Sequence, residues 1–238
     1  MHTNLRRLSL DVLNLSHSAA PPTLPQLDEL SVFCCSIEES TVREWLQSAR
    51  LPRLRVLAVG GGSIRADMLS AGFLAQLDLV QADTQSFNPA NIPAQTSYPL
   101  ILVEDDYIPA VLTRYSILST PAHMDESMTH NYLDHLAPVV ARVPEEPDTP
   151  YVVGLPRSIL RLATVSPDVW MRRPPGVTEA FAERWRAFEE QCRHKHVRII
   201  LFDEDARDAS FGFVPREFLR YARELKAAKR LETAREAR

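Results

Sequence analysis

The sequence predicts an α/β fold of solenoid type, in which short strands stack into a parallel sheet and irregular or helical segments carry the chain back. Three observations predict it. The block from Leu24 to Ile37 realigns without gaps on Leu51 to Ile64, 27 residues later, sharing Leu, Pro, Leu, Leu, Val, Ser and Ile. Each copy carries its apolar residues at the spacing L-x-x-L-x-L, as Leu27, Leu30, Val32 and Leu54, Leu57, Val59. Within each copy apolar and other residues alternate with period 2, as in a strand with one buried face. A repeat of 20 to 29 residues with this spacing marks a leucine-rich-repeat solenoid, here a right-handed horseshoe with irregular repeats.

Two further segments fit the motif, Leu5 to Leu10 before the clear pair and Leu74 to Leu79 after it. Leu8, Leu10, Leu30, Val32, Leu57, Val59, Leu77 and Leu79 are expected to point inward. Arg7, Ser9, Asp11, Glu29, Ser31, Phe33, Val56, Ala58 and Gly60 are expected to line the concave face, either as contact residues or, alternatively, beneath a cover formed by residues 84–150. Between the central strands, Val42, Trp45, Leu46 and Ala49 recur at i, i+3, i+4 and i+7, one face of a helix. Thr41 and Glu44 have the spacing of a capping box, so the helix is expected to start there. Such a strand–turn–helix unit cannot bury its own apolar face and needs neighbours on both sides.

The regular repeats are expected over 1–83. Residues 84–150 form an irregular, Pro-rich, acidic insertion: from 99 to 150 nine acids stand against Arg114 and Arg142. Within it Leu100–Val103 reads as a buried strand, 108–118 as helical after Pro109, and Met128–Leu136 as a short helix. Degenerate repeats are expected over 151–212. A strand opens at Leu155-Pro156 and runs to Leu162, then a helix follows from Thr178 with Phe181, Trp185, Phe188 and Cys192 on one stripe. Val197–Phe202 is the next strand. Residues 213–238 are a charged C-terminal helix with Phe218, Ala222 and Leu225 on one face, fraying into solvent beyond Lys226.

Composition excludes several classes. A net charge of −4 gives no nucleic-acid signal, and the eight basic residues of 216–238 are diluted by four Glu. No apolar run approaches the roughly 18 residues of a membrane span. Three cysteines, two of them adjacent, make no disulfide framework, which points to a reducing compartment, cytoplasm or nucleus.

Gly60-Gly61-Gly62-Ser63, after a strand, is the one stretch with the grammar of a phosphate cradle. It is also similar to the cofactor loop of iron-dependent alcohol dehydrogenases, although Asp67 lies one residue too far for that family and no ligating His set follows. The sibling repeat has Phe33-Cys34-Cys35 at the same place, so the glycines read as a repeat turn, with nucleotide or cofactor binding as the rival reading. Cys35 stands where leucine-rich repeats carry an inward Asn or Cys that satisfies backbone groups at the bend. His194 and His196 beside Cys192 lack the second ligand pair of a zinc site. His123, His130 and His135 have no metal spacing. Asp203, Glu204, Asp205 and Asp208 lack the glycine and closing Glu of a calcium loop. No catalytic residue, cofactor or metal is therefore expected.

The pattern L-P-x-L-x-x-L-x-V-x-x-C/G-x-I resembles the leucine-rich repeats of fungal F-box proteins, most closely over 4–83 and again over 150–203. The resemblance implies a non-catalytic scaffold whose concave face recognises a protein, in that family a substrate for ubiquitylation. It departs from the family in having no F-box ahead of Leu5. The array also starts without a polar cap, so the sequence reads as a fragment or as a relative that keeps only the repeats.

Overall fold

The computed structural model describes residues 4–12, 22–62, 64–83, 86–87, 99–103, 116–119, 126–144, 151–157, 179–203 and 214–236. Eight strands among them form one sheet: β1 (Arg7–Asp11), β2 (Glu29–Phe33), β3 (Val56–Gly60), β4 (Leu79–Asp83), β5 (Leu100–Val103), β6 (Ser116–Ser119), β7 (Val152–Pro156) and β8 (Arg198–Phe202). Each pairs in parallel with the next in chain order, and β1 and β8 are the two edges. Parallel neighbours need a crossover from the end of one strand to the start of the next. Helices α1 (Glu39–Trp45), α2 (Ala71–Gln76), α3 (Glu126–Ala141) and α4 (Glu179–His194) lie on these crossovers, and α5 (Arg216–Glu236) follows β8. The fold is mixed α/β without a closed barrel.

The inner face carries the larger core. Leu30 and Val32 of β2, Leu57 and Val59 of β3, Val80 and Ala82 of β4, Leu118 of β6, and Val153 and Leu155 of β7 form one buried cluster with the helices. Val42 and Trp45 of α1, Phe73 of α2, Leu136 and Val140 of α3, and Phe181, Trp185, Phe188 and Cys192 of α4 close it. The aromatic stripe of α4 is the one its sequence shows at i, i+4 and i+7. Burying such side chains contributes about 1.5–3 kcal/mol each, which is why units with little intrinsic helix or strand stability hold together.

Successive units are also tied at their starts. The carbonyl of Arg6 accepts from the N–H groups of Asp28 (2.8 Å) and Glu29 (3.0 Å). Asp28 does the same for Arg55 and Val56, and Arg55 for Asp78 and Leu79. The side chains at these positions alternate in sign across the sheet, Arg6, Asp28, Arg55, Asp78, with Arg6 and Asp28 3.3 Å apart.

Several expectations are corrected. Val80 pairs with Leu57, so the inward residues of β4 are Val80 and Ala82, and Leu79 faces outward opposite Val56. Leu74 belongs to α2, whose own apolar spacing (Phe73, Leu74) imitates the strand motif one turn too early. Helix α1 begins at Glu39 after Glu38, not at a Thr41 capping box, and ends before Ala49, which is exposed. The sheet runs on through the supposed insertion: β5 and β6 continue the ladder, and Ser116–Ser119 is strand rather than helix. The rest of the 108–118 helix lies outside the described residues. Leu155 and Pro156 close β7 instead of opening a strand, and 158–162 are not among the described residues. The C-terminal helix does not fray at Lys226 but continues to Glu236.

Candidate interaction face

The outward residues form columns across the sheet. One runs Ser9, Ser31, Ala58, Gln81, Ile101, Ile117, Val152, Arg198. Another begins Arg7, Glu29, Val56, Leu79. The first is apolar from Ile101 to Val152 and the second at Val56 and Leu79, where the face is covered. Val56, Leu79, Ile101, Ile117, Val152, Ile200 and Phe202 form a second buried cluster with Phe218, Tyr221 and Ala222 of α5. Of the nine expected contact residues, Arg7, Ser9 and Asp11 are exposed and Glu29 and Phe33 are half-buried. Ser31, Val56, Ala58 and Gly60 are buried, Val56 beneath α5 rather than presented as an anchor. Sequence reasoning looked to residues 84–150 for a cover and missed α5, although the outward Val56, Ile101, Ile117 and Val152 were the signal: four apolar residues facing water is a pattern that asks for a lid.

The open part of the face is therefore β1 and the end of β2. Arg7 sits 3.2 Å from Glu29, and the Phe33 ring lies over Gly60, where a Cβ would meet its Cδ1 at 2.6 Å. Burial pushes the Glu29 carboxyl above its usual range, against the pull of Arg7. Among the described residues, Gln81 carries a buried carboxamide oxygen with no hydrogen-bond partner.

The turns after the strands repeat one conformation. Val12, Cys34 and Gly61, each the residue after its strand, all take left-handed backbone angles, with φ of 51°, 50° and 76°. Val12 N–H donates to Phe33 O (3.1 Å) and Cys34 N–H to Gly60 O (3.2 Å). In the third unit the Asp83 carboxylate takes over, accepting from Gly61 N–H at 2.6 Å and from Ser86 N–H at 2.6 Å. Gly62 N–H donates to Ser86 Oγ (3.3 Å). The glycine nest is thus filled by the chain's own anion. A phosphate would have to displace a carboxylate already bound there, so the turn's donors are committed to the fold. Ser63 is outside the described residues.

A shallow groove of about 630 Å³ opens beside this turn, lined by Cys34, Ile37, Glu39, Gly62, Arg65 and Met68 among others. Its charges are engaged with one another: Arg65 pairs with Asp67 (3.2 Å) and lies 3.8 Å from Glu39, which holds Arg43 at 2.7 Å. Cys35 turns inward, 2 % exposed, with its thiol 3.2 Å from Phe33 O and 3.6 Å from Leu10 O. Cys192 packs into the main core while His194 and His196 are exposed, and burial raises its thiol to about 12, so it stays neutral. No group of three His, Cys, Asp or Glu suited to a metal exists among the described residues. His123, Glu204, Asp205 and Asp208 are outside them. No helix among them is long and apolar enough to cross a membrane. No family model, no curated protein and no solved structure matches this chain.

Proposed function

We propose that this chain is a non-catalytic, leucine-rich-repeat scaffold that recognises a protein through the outer face of its sheet. The observation that carries the reading is the stacking of equivalent residues into columns by eight parallel strands in sequential order. Such a sheet offers an extended row of outward side chains whose spacing the backbone fixes, which is what solenoids use for recognition. The row left open at its N-terminal side runs from Arg7 and Glu29 through Ser9 to Asp11 and the Phe33 ring, polar residues leading to an aromatic at its end. The candidate reactive groups support the same reading because each has structural work: Cys35 at backbone carbonyls, Asp83 in the glycine nest, Cys192 in the core. The finer form, presentation of a ubiquitylation substrate in cytoplasm or nucleus, rests on the resemblance to F-box repeats.

The test is capture from a host lysate by the full-length protein and by an Arg7→Glu, Asp11→Arg, Phe33→Ser variant with an unchanged melting curve. A protein retained by the wild type and lost by the variant is expected. Equal retention by both, or saturable thermal stabilisation by a nucleotide that Gly61→Val abolishes, would overturn the reading.

A further inference from the structure

We infer that the outer face from β3 to β8 is a helix-receiving groove, that α5 is a displaceable resident in it, and that the partner is an amphipathic helix with the α5 pattern. This rests on the scaffold reading above and adds to the open β1–β2 row a second, covered site on the same face. The floor is largely apolar, with Gln81 and Ser119 as its buried polar residues: Val56, Leu79, Ile101, Ile117 and Val152 are each at most 3 % exposed under or beside the helix. One side chain position is carved for a ring. A Cβ on Gly154 would stand 2.5 Å from Phe218 Cζ and 3.2 Å from Ser119 Oγ, so only glycine leaves the Phe218 seat open. The ring lies 5.3 Å from that of Phe202, tilted by 59°, and Tyr221 lies under the Arg198 guanidinium, 5.1 Å away.

One turn further on, the groove reads a cation. The Lys226 ammonium donates to Leu77 O at 2.9 Å and Gln76 O at 3.4 Å, the carbonyl end of α2, and pairs with Asp78 at 3.0 Å. A helix C-terminus with a carboxylate beside it is a receptor for a positive charge. Arg223 approaches the same carboxylate at 3.6 Å. Phe218, Tyr221, Ala222, Leu225 and Lys226 thus present a ring, a second ring, a small residue, an aliphatic and an ammonium at i, i+3, i+4, i+7 and i+8. This is the anchor grammar of a helix laid in a groove.

The helix is separable from the fold that holds it. The larger core contains 33 buried residues among those described, and none comes from α5. The second cluster has ten, three of them from α5. Past Lys226 only Lys229 is half-buried, and residues 230–236 are exposed. A helix gripped over three turns, and absent from the main core, can leave without opening that core. While tethered it competes at an effective concentration on the order of millimolar, so an outside helix binds well only when α5 is released.

The probe is a labelled peptide of residues 214–236, added to the full-length wild type and to full-length Phe218→Asp, Lys226→Glu, whose own helix has lost its ring and its ammonium. The peptide is expected to bind this double variant about 100-fold more tightly than the wild type. Adding Gly154→Val, which fills the ring seat, is expected to abolish that binding. In the wild type, α5 amides are expected to exchange with deuterium faster than those of β2 and β3. Absence of peptide binding to the double variant, cooperative loss of the whole sheet in it, or α5 amides as protected as β3 would each overturn the inference. Because the probe is the chain's own helix, failure to capture a host protein in the earlier test leaves this result standing.

Discussion

Replacing Gly154 by valine tests the packing of the outer face directly. Gly154 lies in β7 opposite Ser119 and Ile200, with ordinary strand geometry on both sides, so valine suits the backbone. Its Cβ alone would nevertheless meet Phe218 Cζ at 2.5 Å and Cε1 at 2.7 Å, and valine adds two methyl groups beyond it. The ring, 1 % exposed, must leave. Exposing a buried Phe costs about 2–3 kcal/mol. Losing the Phe202 ring pair adds about 1 kcal/mol. A β-branched residue in place of glycine returns about 1 kcal/mol to the strand. The net loss of about 2–3 kcal/mol falls on α5, since no α5 residue is in the main core. Hydrogen–deuterium exchange should show α5 losing most of its protection while β2 and β3 keep theirs, and Gly154→Ala should give a smaller change in the same direction. Unchanged protection of α5 in the valine variant would refute the seat, and collapse of the entire exchange profile would refute the separation of the two cores.

Three other outcomes follow from the same geometry. Cys34→Gly should stabilise the protein by about 1 kcal/mol in a denaturant melt, because Cys34 holds a left-handed φ of 50° that glycine adopts without strain. The Glu29 carboxyl is held above its ordinary 4.5 by burial, with Arg7 pulling the other way. An acid raised in the folded state binds more protons there, so its contribution is full below 4.5 and is lost as pH rises through the folded value. Glu29→Gln should therefore flatten the stability profile just above pH 4.5, read from melts across that range. Iodoacetamide on the native protein should label Cys34, which is exposed, and spare Cys35 and Cys192, with three labelled after denaturation by mass spectrometry. The Cys192 thiol, at about 12, supplies almost no thiolate at neutral pH.

What was legible in the sequence was the local period. The 27-residue echo located β2 and β3 in register, Glu29 on Val56 through Phe33 on Gly60, and the stripe Phe181, Trp185, Phe188, Cys192 located α4. What was not legible depended on partners distant in sequence. Leu74 and Leu77 satisfy a strand motif and a helix end equally well, and only pairing with β3 decides between them. Outward Val56 looked like a binding anchor because nothing near it in sequence says that Phe218 and Tyr221 return to cover its face. The glycine turn looked like an anion site for a sound reason. The Gly61 N–H does bind an anion, and that anion is Asp83, 22 residues further on.

The sheet itself is built almost wholly from near neighbours in the chain. Paired strands are separated by as little as the step from Leu100 to Ser116 and at most the step from Val152 to Arg198. Lys226 breaks that rule, gripping Leu77 and Asp78 across 149 and 148 residues. A row of locally paired units can zip from several places and peel from either end, whereas a helix held to that row through Leu77 and Asp78, just ahead of β4, makes its contacts last and releases them first. Folding should then assemble the row first and dock α5 last, and unfolding should release α5 before the row opens. Lys226 governs how the protein comes apart as much as how tightly it is held.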